Sequence, residues 1–266
     1  MSVQTIKHGK LEYLIAEGIS APHCFTTRFG GVSTGVLDSL IIAIKEGERE
    51  ENVRENIRIL SDALDFGMNA LVTTRQTHSD IVRVVTKADH ISCFHRDYPE
   101  CDGLITNDPG TALMIFTADC TPILFHDPVT GAVGAAHAGW RGTASQIGAK
   151  TVTAMVKHFG CDPANIRAAI GPNIGQCHFQ TDADVPEAMI EAFGEEARKF
   201  IRAEDSKYYV NLKEINALCL RRAGVARIEI SDACTACEHH RFWSHRVTKG
   251  QRGSQGAVIV CKEVGR

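Results

Sequence analysis

Residues 112–143 read ALMIFTADCTPILFHDPVTGAVGAAHAGWRGT. Three apolar runs lie in this stretch, at 112–117, 122–126 and 132–136, each of strand length and too short for a buried helix. The last two are joined by Asp127-Pro128-Val129-Thr130-Gly131, residues that favour a turn. A fourth run, at 103–106, precedes them. The segment HAGWRGT (137–143) then feeds a helix carrying Ile147, Thr151, Met155 and Phe159 on one face. Strands running into one another and then into a helix predict a mixed α/β chain with partly antiparallel sheets.

Toward the C-terminus, a strand at 166–170 breaks at GPNIG, helices are predicted at 184–193 and 212–223, and a strand at 226–230. CTACEHHRFWSHR (234–246) follows, with RFWSHR (241–246) read as the start of a strand, and a closing strand at 257–261. Toward the N-terminus, strands at 3–7 and 11–16 flank a His8-Gly9-Lys10 turn, and a run at 24–27 enters the loop FTTRFGGVSTG (25–35). Val53, Ile57, Leu60 and Leu64 recur at helical spacing, predicting a helix over 50–66. Strands at 70–74 and 81–85 flank RQTHSD (75–80), and 86–100 reads as a polar loop. No repeat and no linker rich in Gly, Pro or Ser divides the chain. The expectation is one α/β domain of the α+β type over 1–266, with layered mixed sheets flanked by helices.

The composition supports that reading. With 266 residues, 44% hydrophobic and 23% charged, the chain is neither disordered nor collagenous. It is also long enough to fold without a staple. Lys+Arg 29 against Asp+Glu 32 leaves a net charge of −3, so neither nucleic acid nor an anionic membrane is an expected partner. The N-terminal residues carry no signal-peptide run, and ALMIFTADCTPILF is interrupted by Asp119 and Pro122, short of the roughly 20 apolar residues of a membrane span. A cytoplasmic location is expected, with the 10 cysteines reduced and mostly buried as small hydrophobes.

Three residues at strand ends draw attention as chemistry. His78 lies in the polar turn RQTHSD, Cys120 ends ALMIFTADC, and His137 ends AVGAAH. Two imidazoles and a thiolate suit zinc, and three protein ligands leave a fourth position for water or substrate. Separations of 42 and 17 residues do not form a short-range ligand motif, so a hydrogen-bonded histidine and a buried cysteine remain the ordinary alternatives. Cys234 and Cys237 form a CxxC with His239 and His240 beyond it. No second CxxC or spaced histidine pair completes it, so it is expected to be structural and metal-free. Cys177, in GQCHF, is expected to be a buried thiol.

FTTRFGGVSTG (25–35), RQTHSDIV (75–82), CDGLIT (101–106), FTADCTPIL (116–124), HAGWRGT (137–143), AIGPNIGQCHF (169–179) and the 234–246 tail together resemble the YfiH-like family, also labelled laccase-domain or multicopper polyphenol oxidase. The resemblance spans nearly the whole chain. It implies zinc held by His78, Cys120 and His137, and phosphorolysis of adenosine, inosine, guanosine and methylthioadenosine. It also implies adenosine deaminase activity at the same site. Purine nucleosides and phosphate are then the partners. Copper is the alternative ion, since Cu2+ affinity ordinarily exceeds that of zinc. The 12 histidines include no His-x-His pair, so no multinuclear copper cluster is expected and phenol oxidation would be incidental.

That chemistry needs a proton carrier and an anion site. Asp119 and Asp102 are the candidate proton carriers. Arg141 and Gly142, in a strand-to-helix turn with Gly139, are candidates for phosphate, because unpaired N–H groups and the helix dipole favour anions there. Arg28 is a second anion candidate. A competing enzyme reading makes Cys120 a nucleophile with His137 or His78 as base, giving an amidase; the family resemblance implies peptidoglycan precursors as what it would edit. A binding module that senses nucleosides without turnover is a third reading. Two departures from the family pattern stand out: Ile41 within Ser39-Leu40-Ile41-Ile42-Ala43, where an Asn-containing run is usual, and Ser254 in place of an arginine.

Overall fold

Successive side chains of a strand leave on opposite faces, and in this protein both faces are covered. Along Ala112–Thr117, Leu113 and Ile115 enter one apolar cluster while Ala112 and Met114 enter another. Thr121–His126 behaves alike: Leu124 joins the first cluster, and Ile123 and Phe125 a third. The computed structural model, which describes residues 3–44, 47–90 and 99–263, is accordingly built in four layers.

The first sheet runs, edge to edge, Val3–His8, Leu11–Ala16, His23–Thr26, Gln255–Val260, Ala112–Thr117 and Leu71–Val72. The second runs Arg227–Ile230, Arg167–Ile170, Thr121–His126, Val133–Ala138, Gly103–Thr106 and Val82–Val84. Leu14, Phe25 and Ile259 of the first sheet meet Leu104, Leu124 and Val133 of the second between the two. The helix Glu50–Leu64 covers the far side of the first sheet through Val53, Ile57, Leu60 and Leu64. Ile147–Phe159 and Leu212–Arg222 cover the far side of the second through Ile147, Met155, Ala217 and Leu220. The fold is one mixed α/β domain, as expected.

Most elements fall where periodicity places them. The helix at 50 stops at Leu64 because Asp65 turns left-handed (φ 54°) and Phe66 N–H returns to Ser61 O at 3.2 Å. Three details depart from expectation. RFWSHR does not begin a strand: Phe242 and Trp243 are both buried, and the Ser244 hydroxyl accepts from Val247 N–H at 3.3 Å to start the short helix His245–Thr248. A small third sheet of Gln180–Thr181, Lys207–Val210 and Ile201–Glu204 also forms, from strands too short and polar to announce themselves. The strand at 70–74 contracts to Leu71–Val72. Of the loop expected over 86–100, residues 91–98 lie outside the described residues.

One buried histidine ties stability to pH. His126 is 7% exposed, and burial, followed by the nearby Arg167 charge, lowers its pKa to about 4. The unfolded chain takes up that proton near 6.5, so the contribution of neutral His126 is complete above 6.5 and is lost as pH falls through 4. The loss amounts to roughly 3 kcal/mol. His126→Gln is expected to remove this part of the acid destabilisation. Urea unfolding of variant and wild type at several pH values checks it, and parallel curves across the window count against it.

Candidate metal centre and cavity

Two crossings between the sheets carry the ligand residues. The loop 73–81 leaves Leu71–Val72 in the first sheet and reaches Val82–Val84 in the second; His78 sits in it with φ 60°. Residues 118–120 step from Ala112–Thr117 to Thr121–His126, with Asp119 at φ 85° and Cys120 at the end. Left-handed backbone is rare for such residues and turns their side chains out of strand alternation. His137 comes from Val133–Ala138, on the same face as Val133 and Ala135. His78 Nε2 lies 3.8 Å from Cys120 Sγ, and the ligand atoms of His78, Cys120 and His137 all lie within 4.8 Å of one another. The structure brings together the three residues singled out from the sequence.

Asp102 organises them from behind. Its carboxylate is fully buried and accepts Thr77 N–H at 3.1 Å, His78 N–H at 3.1 Å, and Ser79 N–H and Oγ at 2.7 Å each. It also accepts His137 Nδ1 at 2.7 Å, which leaves His137 Nε2 for the cluster. Burial alone would raise the Asp102 pKa, yet the bonds from His137 and Ser79 hold it at about 2. For His137, burial favours the neutral ring, but the Cys120 and Asp102 charges prevail and raise it to about 9. Cys120 mirrors this: burial opposes the thiolate, while His137 and then His78 draw it down to about 6.

The residues fit a metal ion. One thiolate and two imidazoles form a borderline-soft donor set, one imidazole already oriented by a carboxylate. Gly139 keeps the space open, since a Cβ there would stand 2.7 Å from His78 Cδ2 and 3.3 Å from Cys120 Sγ. Two cavities flank the cluster. The first, about 330 Å³, includes Trp140, Ile174, Phe179, Leu212, Arg246 and Arg252 in its lining. The second, about 340 Å³, includes Ala43, Gln76, His137, Arg252 and Ser254. His78, Ala118, Cys120 and Arg252 border both.

The remaining predicted residues divide. Asp119 lines the first cavity, with Oδ1 accepting the Thr235 hydroxyl at 2.6 Å and Oδ2 accepting Arg246 N–H at 2.7 Å. Asp102, expected as a proton carrier, is enclosed by its five donors and lines neither cavity. Arg28, expected at an anion site, instead donates to Asp38 O and His239 O and stacks on Trp243 at 4.0 Å. Arg141 is exposed and stacked at 4.3 Å on Trp140, a cavity residue. Gly142 is buried and lines neither cavity. Ile41 enters the core under Glu50–Leu64, away from both cavities.

Sequence reasoning missed Arg252. Its Nη1 donates to Ser254 Oγ and Gly253 O at 3.0 Å each, while its buried Nε has no partner among the described residues. The altered family position at Ser254 was the available signal, because it lies two residues away. The expectation for Cys177 is corrected as well. Cys177 is exposed, not buried, and Cys177 and His178 stand beside Cys234 and Cys237. His239 and His240 are not part of that group.

Among the described residues no helix is long and apolar enough to cross a membrane. The family model for multi-copper polyphenol oxidoreductase laccase matches residues 22–262. The chain is 34% identical to purine nucleoside phosphorylase YlmD of Bacillus subtilis, over 90% of this chain and 88% of that protein. It is 33% identical to purine nucleoside phosphorylase YfiH of Escherichia coli, over 88% of this chain and 90% of that protein. The crystal structure of YlmD from Geobacillus stearothermophilus superposes with a TM-score of 0.91 at 34% identity, covering 97% of this chain and 99% of that one.

Proposed function

The chain belongs to the multi-copper polyphenol oxidoreductase laccase family, and on that premise we propose that it is a zinc-dependent purine nucleoside phosphorylase with adenosine deaminase activity at the same site. The observation that carries this reading is the His78, Cys120 and His137 cluster opening on a cavity with both aromatic walls and arginines. Adenosine, inosine, guanosine and methylthioadenosine are the proposed nucleosides, phosphate the second substrate, and the whole chain one catalytic domain. A reducing compartment such as the cytoplasm suits it, because Cys120 must remain a thiol to serve as ligand.

Zinc bound by His78, Cys120 and His137 would supply Lewis-acid polarisation of a substrate oxygen or of water. Everything else falls to the chain. Trp140 and Phe179 offer ring faces, and Ile174 and Leu212 apolar walls, for a purine. Arg252 turns a partly unpartnered guanidinium toward both cavities and is the proposed phosphate anchor, with Arg141 beside Trp140 as a secondary cation. In phosphorolysis a phosphate oxygen bonds to the ribose anomeric carbon as the bond to the purine nitrogen breaks, and the base leaves with a proton. Asp119 is the proposed carrier of that proton, and of the proton delivered to departing ammonia in deamination. Asp102 is proposed only to position His137 and the turn 77–79.

The test is release of free base from adenosine and inosine, before and after chelation. Phosphate-dependent release that stops with chelator and returns with zinc supports the proposal. Arg252→Gln is expected to raise the KM for phosphate roughly ten- to a hundredfold, with a smaller effect on deamination. Equal losses in both reactions would remove Arg252 from the phosphate role. The thiolate-like Cys120 beside charged His137 also favours a second reading, an amidase with Cys120 as nucleophile. That activity would survive chelation.

A further inference from the structure

We propose that Cys177, His178, Cys234 and Cys237 form a second metal site, a closed zinc site of three thiolates and one imidazole that pins one wall of the cavity. All four ligand atoms lie within 4.8 Å of one another. Cys177 Sγ stands 3.7 Å from Cys234 Sγ and 3.5 Å from Cys237 Sγ. His178 Nδ1 stands 3.2, 3.4 and 4.0 Å from the sulfurs of Cys177, Cys237 and Cys234. A tetrahedron with Zn–S near 2.3 Å and Zn–N near 2.0–2.1 Å has sulfur–sulfur edges of about 3.8 Å and sulfur–nitrogen edges of about 3.6 Å. The donor separations match that figure.

The backbone is arranged to the same end. Cys234 Sγ accepts N–H groups from Gly175 at 3.1 Å and Cys237 at 3.5 Å, bonds that favour a thiolate. Gly175 permits the approach, because a Cβ there would stand 3.2 Å from the sulfurs of both Cys177 and Cys234. Three thiolates and Zn2+ leave one negative charge. The buried ammonium of Lys213, which donates to Ser231 O and Ala233 O at 2.6 Å each just before the CxxC, lies where it offsets that charge.

Four protein ligands leave no open position, so the site is structural and not catalytic. It joins two segments that already meet at a bridge between Asn173 and Cys234: 173–179, which contributes Ile174 and Phe179 to the cavity, and 234–246, which contributes His245 and Arg246. Arg246 donates to His178 O at 2.7 Å, and Thr235, next to Cys234, donates to Asp119. Metal loading would therefore hold the cavity wall in place.

The experiment is metal content of protein purified with reductant and zinc, for wild type, Cys237→Ser, His178→Ala and His78→Ala. Cys237 and His178 are exposed, so their replacement leaves the core intact. The expected result is two zinc ions per wild-type chain and one in each variant. Cobalt-loaded His78→Ala should show the strong thiolate-to-metal charge-transfer absorption of three cobalt–sulfur bonds, and Cys237→Ser only the weaker band of the single Cys120 bond. One zinc per wild-type chain, unchanged by Cys237→Ser and His178→Ala, overturns the proposal. So does a Cys177–Cys237 disulfide in protein alkylated directly in the lysate. Both readouts are independent of nucleoside turnover, so failure of the phosphorylase reading leaves this test intact.

Discussion

Cys120→Ala is expected to yield a folded chain that has lost metal at the His78 and His137 site, with purine turnover reduced roughly 10³-fold or more, equivalent to about 4 kcal/mol of transition-state stabilisation. The fold should survive because Cys120 occupies a partly exposed turn between sheets, outside the clusters that hold the layers together. The metal should not, because Cys120 supplies the anionic donor of the set. Removing it also leaves His137 without one of the two charges that raise its pKa, so the ring is protonated less readily but gains no replacement ligand. Circular dichroism, thermal unfolding, metal content and free-base release on one preparation check this outcome. Unchanged phosphorolysis in a chain without metal at this position would sink the site assignment.

Asp102→Asn is the second large effect. The amide keeps the shape of the carboxylate but replaces one acceptor with a donor, against N–H groups of Thr77, His78 and Ser79 and against His137 Nδ1. A buried charged network broken on one side typically costs roughly 3–5 kcal/mol. Loss of a carboxylate behind a metal-binding histidine costs about 10–100-fold in metal affinity. Wild-type Asp102 titrates at about 2 in the folded chain against an ordinary 3.8, so its contribution is complete above 3.8 and is lost as pH falls through 2. The variant should lack that acid-dependent part of its stability. Competition with a chelator and urea unfolding across pH measure both effects. A variant that binds metal normally and loses only kcat would make Asp102 a proton carrier and not a positioning residue.

The two aspartates show where reading a sequence stops. Asp119 adjoins Cys120 in the chain while Asp102 is 18 residues away from it, and alternation along strands was the only rule available to orient either. Asp119 sits at φ 85° between strands, where alternation does not apply, and its carboxylate is caught by Thr235 and Arg246 from more than 100 residues away. Asp102 is wrapped by a loop centred on His78. Arg28 and Arg252 carry the same lesson. Arg28 sits in a loop with the look of an anion site, yet carbonyl oxygens of Asp38 and His239 consume its donors. Arg252 lies in an unremarked polar stretch and reaches both cavities.

What the sequence determined by itself was local or chemically distinctive. The periodicity of Val53, Ile57, Leu60 and Leu64 is enough to place a helix, and a proline-glycine turn at 127–131 is enough to make neighbours of the strands Thr121–His126 and Val133–Ala138. The motifs around His78, Cys120 and His137 were specific enough to single out three residues that the fold brings together. Tertiary structure alone decided which carboxylate faces the cavity, that Arg252 borders both cavities, and that Cys177 and His178 stand beside the CxxC at Cys234. Those outcomes depend on contacts between residues far apart in the chain, and on side-chain directions set by left-handed turns and crossings between sheets. Neither leaves a periodic trace in the residues themselves.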